Sequence, residues 1–130
     1  MTRRHELDVP GQAAPISHYT HAVRTEGALL FVSGVVPVDE DGWLVGGDDV
    51  VEQARAVFRN LGEILRAGGA TFCDVAKVTV FLTDVDDRAE INPVRQEVFG
   101  AARPASTLVE VSRLAVPGAK IEVEAVAVVE

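Results

Sequence analysis

Near the C-terminus, from Pro104 to Val129, apolar and polar positions alternate residue by residue. Thr107, Val109 and Val111 alternate with Ser106, Leu108 and Glu110. After a Pro117-Gly118 turn, Ile121, Val123, Ala125, Ala127 and Val129 alternate with Lys120, Glu122, Glu124, Val126 and Val128. A period of two predicts two strands, each with an odd-numbered and an even-numbered face. The odd face is apolar and needs a cover. The even face passes from hydroxyl and carboxylate to leucine and valines, which suits a site bordering an interface.

Upstream the period changes. Val51, Ala54, Phe58, Leu61 and Leu65 step by three and four, the stripe of an amphipathic helix. Asp49 with Glu52 forms a capping-box pattern before it, and Gly68-Gly69 closes it. Gly62 costs that helix about 1 kcal/mol relative to alanine, so close packing against a sheet is expected there. Val75 to Leu82 returns to period two, with Val78, Val80 and Leu82 on one face and Lys77, Thr79 and Phe81 on the other. A second helix carries Ile91, Val94, Val98 and Phe99; Pro93 fits best at its first position with Asn92 as N-cap, after an irregular turn over 87–91.

The N-terminal third is less regular. Residues 1–14 are polar and hold Pro10 and Gly11, so a loose arm is expected. Tyr19, His21 and Val23 share a parity, and Thr25-Glu26-Gly27 turns the chain into a strand from Ala28 to Ser33. That strand is apolar on both faces, which predicts an interior place in the sheet. Asp39-Glu40-Asp41-Gly42 signals a turn, and Trp43-Leu44-Val45 reads as a short strand. The order ββ(β)αβαββ predicts a single α+β domain over 1–130, with two helices covering one face of a sheet. The other face, expected to carry Phe81, Leu108, Val126 and Val128, is too apolar to stay wet, and oligomerisation follows.

Composition narrows the functions. The 130 residues are 48% hydrophobic, enough for one core without staples. A formal charge of −8, from 12 Lys and Arg against 20 Asp and Glu, argues against nucleic acid and against an anionic membrane surface. No apolar run suits a membrane-spanning helix, and MTRRHELDVP lacks the hydrophobic segment of a secretory signal. One cysteine, Cys73, makes no intrachain disulfide, which fits the cytoplasm; it reads as a loop or packing residue. Neither the Gly-Gly pairs nor His5, His18 and His21 have the spacing of a phosphate loop or metal site, so no cofactor and no metal are expected.

Taken together, PASTLVEVSRL, the KIEVEAVAV that follows, Tyr19, FVSGVVP from Phe31, QARAVFRNLGEIL and VAKVTVFLTDVDD resemble the Rid (reactive intermediate deaminase, YjgF-type) family across nearly the whole chain. The resemblance implies a chorismate-mutase-like mixed sheet under two helices. It also implies a homotrimer with small-molecule clefts between adjacent subunits. Carried over by residue, such a cleft uses Tyr19, Ser33, Gly34, Asn92, Ser106, Thr107, Leu108 and Glu122. In members that deaminate imines, an arginine at the position of Ser106 grips the substrate carboxylate. The glutamate, here Glu122, positions water with a main-chain carbonyl and moves the proton, with Tyr19 as orienting group.

Ser106 is the departure. A hydroxyl does not replace a bidentate fork, so a small 2-imino carboxylate is not the expected guest, and Leu108 makes the pocket more apolar. Arg103 and His21 are candidate compensating polar groups, though each reads first as a solvated surface residue and only second as a ligand contact. Tyr19 also reads as a packing residue, Asn92 as a cap, Ser33-Gly34 as a strand end, and Glu122 with Glu124 as a solvated strip. Two functions stay open: a cofactor-free hydrolase of an imine, enamine or carbonyl compound, and a non-catalytic trimer that binds a metabolite or a partner. The acidic charge speaks against ribonuclease activity.

Overall fold

The structure, a computed structural model, describes residues 3–130. Among them the elements follow as β1 (Arg4–Leu7), β2 (Ala22–Thr25), β3 (Ala28–Val35), α1 (Val50–Ala67), β4 (Val75–Leu82), α2 (Arg88–Phe99), β5 (Ala105–Glu110) and β6 (Ile121–Val129). One mixed sheet has the order β3-β6-β4-β5; β6 is antiparallel to both its neighbours, and β4 and β5 are parallel. β1 and β2 form a separate antiparallel ribbon. No helix of the described residues is long and apolar enough to cross a membrane.

The core lies between this sheet and the helices. Val78, Val80 and Leu82 of β4 and Ile121, Val123 and Ala125 of β6 are buried with Phe58, Leu61 and Leu65 of α1 and Ile91, Val94 and Phe99 of α2. The stripe read from the sequence is the buried face of α1. Asp49 caps it, its carboxylate accepting from the Val51 and Glu52 amides, and Gly69 turns the chain away at φ +87°. Gly62 packs against the ring of Phe72 rather than the sheet; a Cβ there would sit 3.0 Å from the ring edge. Phe72 stacks edge-on with Phe99 at a centroid distance of 5.4 Å, joining the two helices.

Several expectations are corrected. The expected loose arm contains β1, which pairs with β2 from Arg4↔Thr25 to Leu7↔Ala22; Met1 and Thr2 lie outside the described residues. β3 is an edge strand, not an interior one. Val32 and Val35 face the core, while Leu29 and Phe31 are 46% and 73% exposed on the side without helices. Of Trp43-Leu44-Val45 only a single bridge, Val38↔Leu44, is present. α2 starts at Arg88, so Pro93 lies within it and Asn92 is not its cap.

Parity also changes between the last two strands. Val78 pairs with both Ser106 and Ala125, and Phe81 with both Val109 and Glu122. Residues paired across a ladder share a face. Ser106 and Leu108 therefore stand on the helix side, whereas Thr107, Val109, Glu122 and Glu124 stand on the open side. Numbering parity carries a face along one strand only; the ten residues between β5 and β6 reset it. Of the residues expected on the open face, Phe81 and Val126 lie there half-buried, Val128 is buried, and Leu108 belongs to the other side.

The ribbon is fastened by charge. Buried Arg4 donates from Nε to the Val75 carbonyl at 2.7 Å and from Nη1 to Glu6 Oε2 at 2.6 Å, and the Arg103 amide donates to the same oxygen at 2.9 Å. Partial burial pushes the Glu6 carboxyl up, but the hydrogen bonds from Arg4 and Arg103 and the charges of both guanidinium groups outweigh it and hold the group below its ordinary value. A pKa lowered by folding adds stability that is complete above the unfolded value, about 4.3, and disappears as pH falls through the folded one. The Glu6 side chain is 33% exposed, so screening keeps the contribution small. Glu6→Gln is expected to lower the unfolding free energy by about 1 kcal/mol or less at neutral pH. Urea titrations of the two proteins should converge at a pH below the folded-state value.

Candidate functional site

The segment before β2 crosses the start of β5. The Thr20 amide donates to the Pro104 carbonyl at 3.2 Å, and Thr20 bridges Ala105 in parallel register. This crossing lays Tyr19 beside β5 and opens a cleft of about 580 Å³ between that segment, β5 and α2. Its walls are Ile16, Ser17, Tyr19, Val85, Arg88, Ala89, Asn92, Arg95, Ser106 and Leu108. Four of the expected site residues thus come together: Tyr19, Asn92, Ser106 and Leu108. Asn92, free of any capping duty, accepts from Ser17 Oγ at 2.7 Å, which ties the crossing segment to α2. The Tyr19 hydroxyl meets the Ile16 amide at 3.4 Å, a long contact that leaves it available.

Arg95 was not anticipated. It is 3% exposed, and its Nη2 donates to Ser106 Oγ at 2.8 Å. Nε finds no partner, and burial pulls the guanidinium pKa below its ordinary value. The sequence did hold a signal: Ile91, Arg95 and Phe99 are four apart, so Arg95 interrupts the apolar stripe of α2 and faces inward with it. Arg88 adds a second guanidinium at the exposed edge of the cleft.

The remaining residues form a different corner, on the open side of the sheet. The β3–β6 register shifts between Val32 and Val35, so Ser33 and Gly34 oppose Glu124 alone, a β-bulge. The Glu122 carboxylate lies against the bare backbone of Gly34, where any Cβ would displace it. Two amides from α1 hold this corner. Gln53, fully buried, accepts from the Lys120 amide at 2.7 Å and donates to the Gly47 and Gly118 carbonyls, fixing the start of β6. Asn60 donates to the carbonyls of Val36 and Val38, fixing the exit of β3.

Three expected residues join neither group. Thr107 is exposed on the open face and accepts from Lys77 Nζ at 2.7 Å. His21 accepts the Val9 amide on Nδ1 and meets the Ala13 carbonyl through Nε2, both at 2.8 Å, so it anchors the N-terminal segment instead of facing the cleft. Arg103 engages Glu6 through its amide and does not line the cleft. Cys73 is exposed in a short turn before β4. Among the described residues, no three of His, Cys, Asp and Glu converge as metal ligands would.

Within one chain, then, a cationic, partly apolar cleft and a glycine-backed carboxylate occupy opposite sides of one sheet. The family profile described as Endoribonuclease L-PSP matches residues 11–129. A RutC family protein of Pyrococcus abyssi is 45% identical over 87% of this chain and 87% of its own. A mouse protein named 2-iminobutanoate/2-iminopropanoate deaminase is 39% identical over 88% of this chain and 84% of its own. The crystal structure of YyfB, a Rid family protein of Yersinia pestis, superposes with a TM-score of 0.90 at 30% identity, covering 98% of this chain and 100% of that one. On the profile, the sequence identity and the shared fold, the chain belongs to the endoribonuclease L-PSP family, whose members also carry the Rid and RutC names.

Proposed function

We propose that this protein works as a homotrimer that binds a small imine, enamine or related carbonyl metabolite in clefts shared between protomers, and hydrolyses it without a cofactor. One protomer contributes Tyr19, Asn92, Ser106 and Leu108; its neighbour contributes Ser33, Gly34 and Glu122. The observation that carries this reading is the division of these residues between two faces of a single sheet. A chain folded this way cannot bring Glu122 to Ser106 alone. A second copy, seated on the exposed Leu29 and Phe31 of β3, can supply the missing half. The kinship with imine deaminases supports the chemistry.

The reaction needs little from the protein. Water adds to the imine carbon, and the C=N bond becomes a C–N bond with a proton delivered to nitrogen. The C–N bond then breaks, ammonia leaves and a carbonyl remains. Glu122 takes one proton from the water as it adds and gives it to the imine nitrogen, then carries the proton of the new hydroxyl to the same nitrogen as the C–N bond breaks. Tyr19 orients the bound molecule, and Asn92 offers an amide to its polar end. A cytoplasmic setting, where such metabolites arise, agrees with the single unpaired cysteine.

Mixing two inactive variants tests the shared cleft. Glu122→Ala damages one half and Asn92→Ala the other. Refolded together in equal amounts, they should regain about a quarter of the wild-type clefts, since each intact cleft needs two independent one-half chances around a head-to-tail ring. Activity recovered from the mixture, with none from either variant alone, is the expected result. A mixture as inactive as its components would refute a site built across protomers.

A further inference from the structure

The chain carries 20 acidic and 12 basic side chains, yet no acidic residue lines the Tyr19–Ser106 cleft and two arginines do. Arg95 is the buried one. A guanidinium remains protonated in proteins, so its charge must be met by something. Ser106 Oγ, a neutral acceptor, is the one side chain it reaches, and Nε goes unpaired. Among the described residues no carboxylate stands within ion-pair distance of it. A buried cation answered only by a hydroxyl is costly, and an unsatisfied group of this kind calls for a missing partner.

We infer that Arg95 and Ser106 form the anion subsite of the cleft and receive the carboxylate of a small organic acid whose apolar remainder rests on Ile16 and Leu108. The inference rests on the reading of this cleft as a metabolite site and adds the side chain, Arg95 of α2, that holds the carboxylate in place of the absent arginine at 106. Three observations favour a carboxylate. The planar guanidinium matches a carboxylate with parallel donors. Ser106 accepts from Arg95, which leaves its own hydroxyl proton to give to the second oxygen. The wall also offers the hydrocarbon of Ile16, Val85, Ala89 and Leu108, which suits a short aliphatic body rather than a highly charged one. The expectation that a serine at 106 excludes 2-imino carboxylates considered that position alone; the cation stands one hydrogen bond behind it, on α2.

The test compares three probes on wild type, Arg95→Gln and Ser106→Ala by calorimetry: 2-oxobutanoate, 1-hydroxybutan-2-one (the same chain without the carboxylate) and inorganic phosphate. Wild type should bind 2-oxobutanoate. Arg95→Gln should weaken that binding about ten- to a hundredfold, the worth of a charged hydrogen bond, and leave 1-hydroxybutan-2-one unchanged. Ser106→Ala should weaken 2-oxobutanoate severalfold. If the glutamine variant does not fold, Arg95→Lys keeps the charge without the fork and should show the same selective loss in smaller degree. Equal 2-oxobutanoate binding by wild type and the Arg95 variants, or no binding by wild type, overturns the inference. Phosphate binding as tight as that of 2-oxobutanoate, with the same Arg95 dependence, overturns the carboxylate assignment. Hydrolysis of 2-iminobutanoate is followed separately: Arg95-dependent binding without turnover defeats the catalytic reading and leaves this subsite standing, whereas turnover indifferent to Arg95 does the reverse.

Discussion

Glu122→Gln is expected to cut the turnover of 2-iminobutanoate by about 10²–10⁴-fold, the usual worth of a positioned acid/base group. Glutamine keeps the size and hydrogen-bonding reach of the side chain and removes only its capacity to take a proton. The fold should not notice: Glu122 is half-buried at the edge of the core, and its neighbours Ile121 and Val123 carry the packing. Binding of 2-oxobutanoate should persist, because the carboxylate subsite lies in the other half of the cleft. Stopped-flow assay of imine decay alongside calorimetry reads both at once. Unchanged turnover in the variant would remove Glu122 from the chemistry, whereas binding without turnover in the wild type would make the protein a metabolite-binding trimer.

Phe31→Asp is expected to convert the assembly to monomers and to abolish activity without unfolding the chain. Phe31 is 73% exposed on an edge strand, beside Leu29 at 46%, so the open face of β3 presents two adjacent apolar side chains. Burying one phenylalanine contributes about 1.5–3 kcal/mol, and a ring of identical contacts repeats that gain at every boundary. Aspartate replaces the gain with the cost of hiding a charge. Light scattering should report the mass of a single chain, with a circular dichroism spectrum like that of wild type. A variant that remains trimeric would show that β3 is not the seat of assembly. An edge strand apolar on both sides is an aggregation hazard unless something covers it, which is why we place the neighbour there.

Much of this was legible in the alternation of residues. The α1 stripe, its Asp49 cap, the two faces of β4 and the inward set on β6 follow from local periodicity, and local periodicity is what the backbone obeys. The errors arose where a face depends on a neighbour. β3 reads as interior because both its sides are apolar; sequence does not distinguish an apolar side turned to a helix from one left exposed. Ser106 and Glu122 share a numbering parity but not a face, since β5 and β6 are each positioned by β4 and not by each other. β1 was hidden because four residues of mixed polarity gain their order from Arg4 and Glu6, a contact between distant parts of the chain. Arg95 was visible as a cation in an apolar stripe.

Along its flank a helix ordinarily offers a ligand side chains only, because each peptide oxygen is claimed by the amide four residues on. Pro93 breaks that rule inside α2: it has no N–H to give, so the oxygen of Ala89 lacks its usual claimant. Ala89 is part of the cleft wall. A residue of that wall therefore carries a backbone acceptor without its helical partner, one that no change of pH can neutralise and no substitution at position 89 can delete. Only restoring an amide at position 93 would take it away.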